Sequence, residues 1–138
     1  MPYTILCVVG GVHKRRDTKL LKARDRYKGV HIQRAKDAAF AKGNLPWFIL
    51  SSKFGLVAEG QGVVDYRHNL IERDLGILVD LLYSQLGQMR TREVYFYTFP
   101  GEEWHLYLRA MTLATNKFGA KLVVTEFKKQ TKRSRGAW

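Results

Sequence analysis

The amino-acid sequence predicts an α/β fold, a single domain of about four mainly parallel strands with helices on both faces. Three observations lead there. Short apolar, β-branched runs alternate with longer segments whose apolar residues keep helical spacing. The first run, Tyr3 to Val9 (Tyr-Thr-Ile-Leu-Cys-Val-Val), is continuous rather than alternating, which suits a central strand covered on both sides. Glycines and two prolines mark the junctions between elements. A strand–helix–strand order implies right-handed crossovers and a parallel sheet.

The elements follow in order. The first strand ends at Gly10-Gly11. Thr18 to Lys42 is rich in helix formers but is interrupted at Tyr27-Lys28-Gly29. A short helical or irregular basic segment, a turn near Gly29 and a helix from about Val30 to Lys42 account for it, with Gly43-Asn44 and Pro46 as the stop. Trp47 to Leu50 is a second buried strand, followed by one long irregular stretch from Ser51 to Arg67. A helix opens at Arg67 or Asn69 and reaches about Leu86, carried by Leu70, Ile71, Leu75, Leu78, Leu81, Leu82 and Leu86. Gly87 is its candidate C-cap. Glu93 to Phe99 is a third strand, and Pro100-Gly101 turns the chain into a helix from Glu102 to Phe118. That helix carries acids in its first turn, as the helix dipole favours. Gly119 caps it, and Lys121 to Phe127 is the fourth strand.

The chain has 138 residues, 46% of them hydrophobic, enough for one domain with a real core. A single cysteine excludes a disulfide framework and a Cys-rich zinc module. Cys7 falls inside a strand and reads as core rather than nucleophile. No apolar run approaches the roughly 18 residues of a membrane span. The start of the chain lacks a basic region before its apolar stretch, so a signal peptide is not expected and a cytoplasmic protein is. His13, His31, His68 and His105 show no metal-ligand spacing, so no zinc site and no other cofactor is expected.

Lys and Arg number 24 against 12 Asp and Glu, a net charge of +12. From Lys14 to Lys42 there are 11 Lys and Arg and 3 Asp. Lys128, Lys129, Lys132, Arg133 and Arg135 add five more with no acid. The domain is therefore read as residues 1–127, with residues 128–138 as a basic arm lacking apolar periodicity. Such an excess points to a polyanion, with nucleic acid first and DNA favoured over RNA. Trp138 is placed either to stack on a base or to end the chain unpacked.

In a parallel sheet the loops after the four strands meet at one edge, where α/β proteins bind ligands. Gly10 and Gly11 lead into Lys14, Arg15 and Arg16, and Arg24 lies beyond them. Glycines there let the backbone approach a phosphate that the cations neutralise, or they simply make a tight turn before solvated charge. The stretch fits neither a Walker nor a Rossmann pattern. Ser51 and Ser52 follow a strand directly, and with Lys53 they can hold a phosphate or a base edge, or merely end the strand. Asp65 is the leading candidate for a catalytic carboxylate, as general base or as stabiliser of a cationic sugar, or it caps the next helix. Glu102 and Glu103 open a helix beside Trp104 and His105; Glu103 is the second catalytic candidate, unless both acids serve only the dipole. Tyr66 and Trp104 are the candidate stacking rings.

Several segments resemble one family. Ala23-Arg24-Asp25-Arg26-Tyr27-Lys28-Gly29 is similar to its Ala-Arg-Asp-Leu-Tyr-x-Gly element. Trp47-Phe48-Ile49-Leu50-Ser51-Ser52-Lys53-Phe54-Gly55-Leu56-Val57 is similar to its Trp-Phe-Ile-Leu-Ser-Ala-Lys-Tyr/His-Gly-Leu-Val signature. Asp65-Tyr66 falls where it carries Pro-Tyr-Asp, and Gly101-Glu102-Glu103-Trp104 where it carries Gly-x-x-Tyr. The family is the small YaaA-like (peroxide stress protein-like) domain of bacteria and phages, and the resemblance spans most of residues 3–110. It departs in two places. The family's Cys-x-Lys-Lys-Lys has no cysteine counterpart here, because Cys7 is too early, and the acid after its Tyr is Arg67. The resemblance implies a protein acting on DNA. Its layout suits the three-layer sandwich of uracil-DNA-glycosylase-like and deoxyribosyltransferase-like folds.

Three functions fit. The first is an enzyme that breaks or exchanges an N-glycosidic bond in nucleic acid or a nucleotide, with a duplex base flipped out. The second is a non-catalytic DNA- or RNA-binding protein. The third is a phage-type interaction factor whose charge engages an acidic protein.

Overall fold

Ile5 to Val9 are each at most 1% exposed, so the first strand is covered on both faces and must lie inside the sheet. The computed structural model describes residues 3–10, 21–22, 30–63 and 70–128. Its strands are β1 (Tyr3–Val9), β2 (Leu21–Lys22), β3 (Trp47–Ser51), β4 (Gly55–Ala58), β5 (Gly62–Val63), β6 (Thr91–Thr98) and β7 (Lys121–Glu126). Its helices are α1 (Val30–Ala41), α2 (Leu75–Gln88) and α3 (His105–Phe118), with single 3-10 turns at Glu72–Asp74 and Glu102–Trp104 leading into the last two.

The main sheet has five strands in the order β4-β3-β1-β6-β7, and β2 pairs with β5 in a separate antiparallel ribbon. β3, β1, β6 and β7 are mutually parallel, while β4 runs antiparallel to β3. The sheet is therefore mixed, with one more strand than expected. The stretch from Ser51 to Arg67 is not one irregular loop, since β4 and β5 lie within it. A four-residue strand that opens on glycine carries too little periodicity to stand out.

Strand direction on the two sides of β1 dictates the layers. β1 connects through α1 to β3 on one side, and β6 connects through α3 to β7 on the other. Right-handed crossovers going opposite ways put α1 on one face and α3 on the other. α2 packs against α3, completing three layers. Leu78, Leu82 and Leu86 of α2 and Ala110, Met111 and Ala114 of α3 are buried in the core on that side. Ile32, Ala35 and Ala39 bury the inner stripe of α1. Two exposed ion pairs, Arg109–Glu72 at 3.0 Å and Lys117–Asp80 at 3.4 Å, add little to the α2–α3 packing.

Helix ends differ from expectation in detail. α2 is preceded by a 3-10 turn and begins at Leu75, with Leu70 and Ile71 outside it. It also runs past Gly87 to Gln88, and Arg90 (φ 53°), not the glycine, takes the left-handed position after it. Gly87 stays inside the helix, where a Cβ would rest 3.5 Å from the Phe118 ring. Gly119 does cap α3, at φ 91°.

The β3–β4 hairpin closes on Ser51 and Gly55 around a turn of three residues. Gly55 sits at φ 70°, the left-handed position such a turn requires. The free edge of β4 is occupied by one side chain. Gln85 of α2 accepts from the Leu56 amide at 2.7 Å and donates to the Phe54 and Leu56 carbonyls, each at 3.2 Å. A β-carbon on residue 55 would collide with that same amide oxygen. Gly55 and Gln85 therefore form one device that docks the hairpin on α2. Gly55→Ala and Gln85→Ala should each destabilise the fold by about 1–3 kcal/mol, read as a lower midpoint in urea unfolding with unchanged slope.

Candidate functional site

Because β1, β3, β6 and β7 are parallel, their carboxyl ends share one edge of the sheet. Adjacent strands β1 and β6 send their chains to opposite faces there, so the crevice between them is the topological switch point, the place where open α/β sheets bind ligands. On one side of this crevice stands Gly10, whose amide donates to the Leu50 carbonyl at 3.0 Å. On the other stand Phe99, Pro100 and Gly101.

An aromatic cluster fills the floor. His31, in the first turn of α1, is 1% exposed, and its Nε2 donates to the Val9 carbonyl at 3.0 Å. Its ring meets Phe99 edge-on at 4.8 Å and Phe127 at 6.1 Å. Phe99 packs on Phe127 at 5.2 Å and on Trp104 at 4.9 Å, and Trp104 packs on Tyr107 at 5.8 Å. Phe127 is tied down by its amide, which donates to the Thr98 carbonyl at 2.8 Å. Thr98 is fully buried, and its hydroxyl has no hydrogen-bond partner among the described residues.

Beside this cluster lies an open recess of about 270 Å³, lined by Phe99, Gly101, Glu102, Trp104, His105, Leu108 and Glu126. Apolar rings form its base, with two carboxylates and an imidazole among its lining residues. A larger hollow of about 380 Å³, lined by Tyr3, Ile5, Pro46, Gln88, Met89 and Arg90, lies at the opposite, amino end of the strands. Size does not select between them, and the switch point favours the smaller one.

The structure places the sequence-predicted residues unevenly. Trp104 is half-buried and belongs to the aromatic cluster. Glu103 is exposed, and its carboxylate folds back over Gly101, about 3.0 Å from where a β-carbon on that glycine would sit. Ser51 is 1% exposed, and its hydroxyl accepts from the Lys53 and Phe54 amides at 3.1 and 3.0 Å. That is turn closure within the hairpin, so the Ser51 hydroxyl already serves the turn it stands in. Ser52 is buried in the same turn. Lys53 is exposed at the same edge, its ammonium 5.5 Å from the Phe54 ring centre. Lys128 is exposed directly after Phe127. Lys14, Arg15, Arg16, Arg24, Asp65, Tyr66, Lys129, Lys132, Arg133, Arg135 and Trp138 lie outside the described residues.

Sequence reading missed His31, Phe99, Phe127, Glu126 and the recess. The available signal was position: Phe99 and Phe127 each follow a parallel strand directly. Among the described residues no group of three His, Cys, Asp or Glu comes together to hold a metal. No described helix is long and apolar enough to cross a membrane.

Cys7 is fully buried in β1, and burial pushes its thiol well above the ordinary range. A buried thiol that stays protonated is inert. The native protein at pH 8 should leave Cys7 unlabelled by an aromatic disulfide reagent over minutes, and the same reagent should titrate one thiol after denaturation.

No protein-family model, no curated protein and no solved structure matches the chain.

Proposed function

We propose that the chain is a nucleic-acid-binding α/β protein that grips its partner across the carboxyl edge of the sheet. One observation carries this reading: both basic blocks are rooted at that edge. The segment between Gly10 and Val30 holds eight Lys and Arg against two Asp. It begins at the end of β1, contributes Leu21–Lys22 to the β2–β5 ribbon and ends at the start of α1, whose His31 touches Val9. The second block begins at Lys128, beside Phe127. Like charges joined to the fold at this edge suit a polyanion lying over it. Phosphate contacts of this type bind without reading sequence and weaken steeply with salt.

The chemistry that fits best is cleavage or exchange of an N-glycosidic bond. The recess beside Phe99 and Trp104 has the scale of one flipped base, and carboxylates stand on its lining. The chain re-enters the described structure after Asp65 and Tyr66 at Leu70, next to Glu72, which pairs with Arg109 in the first turns of α3. Asp65 is the leading candidate for the catalytic carboxylate, and Glu103, next to the lining residue Glu102, is the second. The three layers suit a uracil-DNA-glycosylase-like or deoxyribosyltransferase-like sandwich, a likeness of architecture alone. The YaaA-like motifs support the same class.

Two experiments follow. Affinity for a fluorescent oligonucleotide, measured by anisotropy, should fall about a hundredfold between 50 and 200 mM salt for some four phosphate contacts. Replacing Lys129, Lys132, Arg133 and Arg135 by Ala should weaken binding and flatten the salt slope. Salt-independent affinity would contradict the reading. Incubation with DNA carrying normal and modified bases should release free base and leave abasic sites, and Asp65→Ala should slow this by about 100-fold or more. Intact DNA at high protein concentration leaves a binding protein without that chemistry.

A further inference from the structure

Among the described residues, one half of one sheet face carries rings but no helix. Along β6, Val94, Phe96 and Thr98 are buried against the α2–α3 layer, and Glu93, Tyr95 and Tyr97 point the other way, half-buried. Their partners on β7 are Lys121, Val123 and Thr125, of which Lys121 and Thr125 are exposed. α1 lies on this side, since Lys42 just beyond it reaches Tyr95 and His31 reaches Phe99. Its packing is over β1 and β3, so among the described residues the β6–β7 half has no helix above it. The result is a trough. Its floor is Tyr95 and Tyr97, its wall is the Arg34–Ala38–Lys42 stripe at i, i+4, i+8 spacing, and its far side is β7.

The trough runs into the carboxyl edge. Tyr97 lies 5.9 Å from Phe127, which joins Phe99 and His31 in the aromatic cluster. Cations stand along it: Lys42 on the wall, Lys121 on β7 and Lys128 where it opens at the edge. The Lys42 ammonium sits 4.3 Å from the Tyr95 ring centre. Among the described residues Lys121 is held by a 3.7 Å pair with the half-buried Glu93.

We propose that this trough is a stacking platform for a single-stranded nucleic-acid segment, a site distinct from the recess, and the proposal rests on the nucleic-acid reading above. Rings on a sheet floor with cations at the rim are what a strand of unpaired bases recognises, because every base has a π-face and every linkage a negative charge. Ala38, the small residue in the middle of the wall, leaves room beside the rings. As a base settles on Tyr95, the Lys42 ammonium moves from the ring to a phosphate, exchanging one exposed contact for a charge pair. A duplex has its base faces already stacked and gains nothing from the rings, so the platform selects single strands and leads them to the edge.

The test compares a labelled 12-residue oligothymidylate with a 12-base-pair duplex at one low salt concentration, by anisotropy. Tyr95→Ala with Tyr97→Ala should weaken the single strand about tenfold or more and the duplex by less than about twofold. Tyr95→Phe with Tyr97→Phe keeps the rings and should retain single-strand affinity. Equal loss for both ligands, or none for the single strand, overturns the platform. Wild-type protein crosslinked to 5-iodouracil oligonucleotide guards against a folding defect in the variants. Crosslinks on the peptide holding Tyr95 and Tyr97 support the proposal, and crosslinks confined to other peptides overturn it. Failure of the wild type to bind either ligand would instead remove the nucleic-acid reading itself.

Discussion

The burial of β1 on both faces is the constraint from which the rest of the molecule follows. A strand with no solvated side cannot sit at an edge, so it needs neighbours left and right and cover above and below. β3 and β6 supply the neighbours, both parallel to it, and parallel neighbours require helical crossovers. Because the chain leaves β1 toward one side and fills the other side later, helices fall on both faces. The divergence of chain at β1 and β6 then creates the crevice. The crevice at the carboxyl edge is in this sense a by-product of five apolar residues, Ile5 to Val9, that cannot face water.

The two sheet edges are handled differently. At β4 a polar side chain from α2 takes the hydrogen bonds that a sixth strand would take, and Gly55 leaves it room. This keeps the edge from templating another chain. At β7 the residues from Val124 to Glu126 are exposed, and among the described residues the sheet face beside them carries tyrosines rather than a packed helix. Apolar cover is spent where stability needs it, over β1, β3 and the inner side of β6.

Much of the fold was legible in the sequence, because the deciding signals were local. The continuous apolar run of β1, the apolar stripe of α2 and Gly119 after α3 each carry their own structural instruction. What was not legible depended on partners far along the chain. Ser51-Ser52-Lys53-Phe54-Gly55 reads as a ligand loop until Leu56 is seen paired with Gln85, 29 residues later. Gly87 reads as a cap until Phe118 is found packed over it. The convergence of loops at the carboxyl ends of the parallel strands was deducible from topology. The side chains at the edge were not, since His31, Phe99 and Phe127 come from three distant segments and meet only through the crossovers. The signature resembling the YaaA-like family acquires a physical meaning here: in the described hairpin its serine and glycine make the turn.

Nucleic acid is proposed to bind at the carboxyl edge of the sheet. Amide chemical-shift mapping during titration with a short single-stranded oligonucleotide at low salt tests this most directly. The predicted result is a contiguous set of perturbed signals at Gly10, His31, Phe99 to His105 and Phe127 to Lys128, with Tyr3, Gln88, Met89 and Arg90 at the amino end unchanged. Perturbations centred on that amino end, or on the outer surface of α2 and α3, would contradict it.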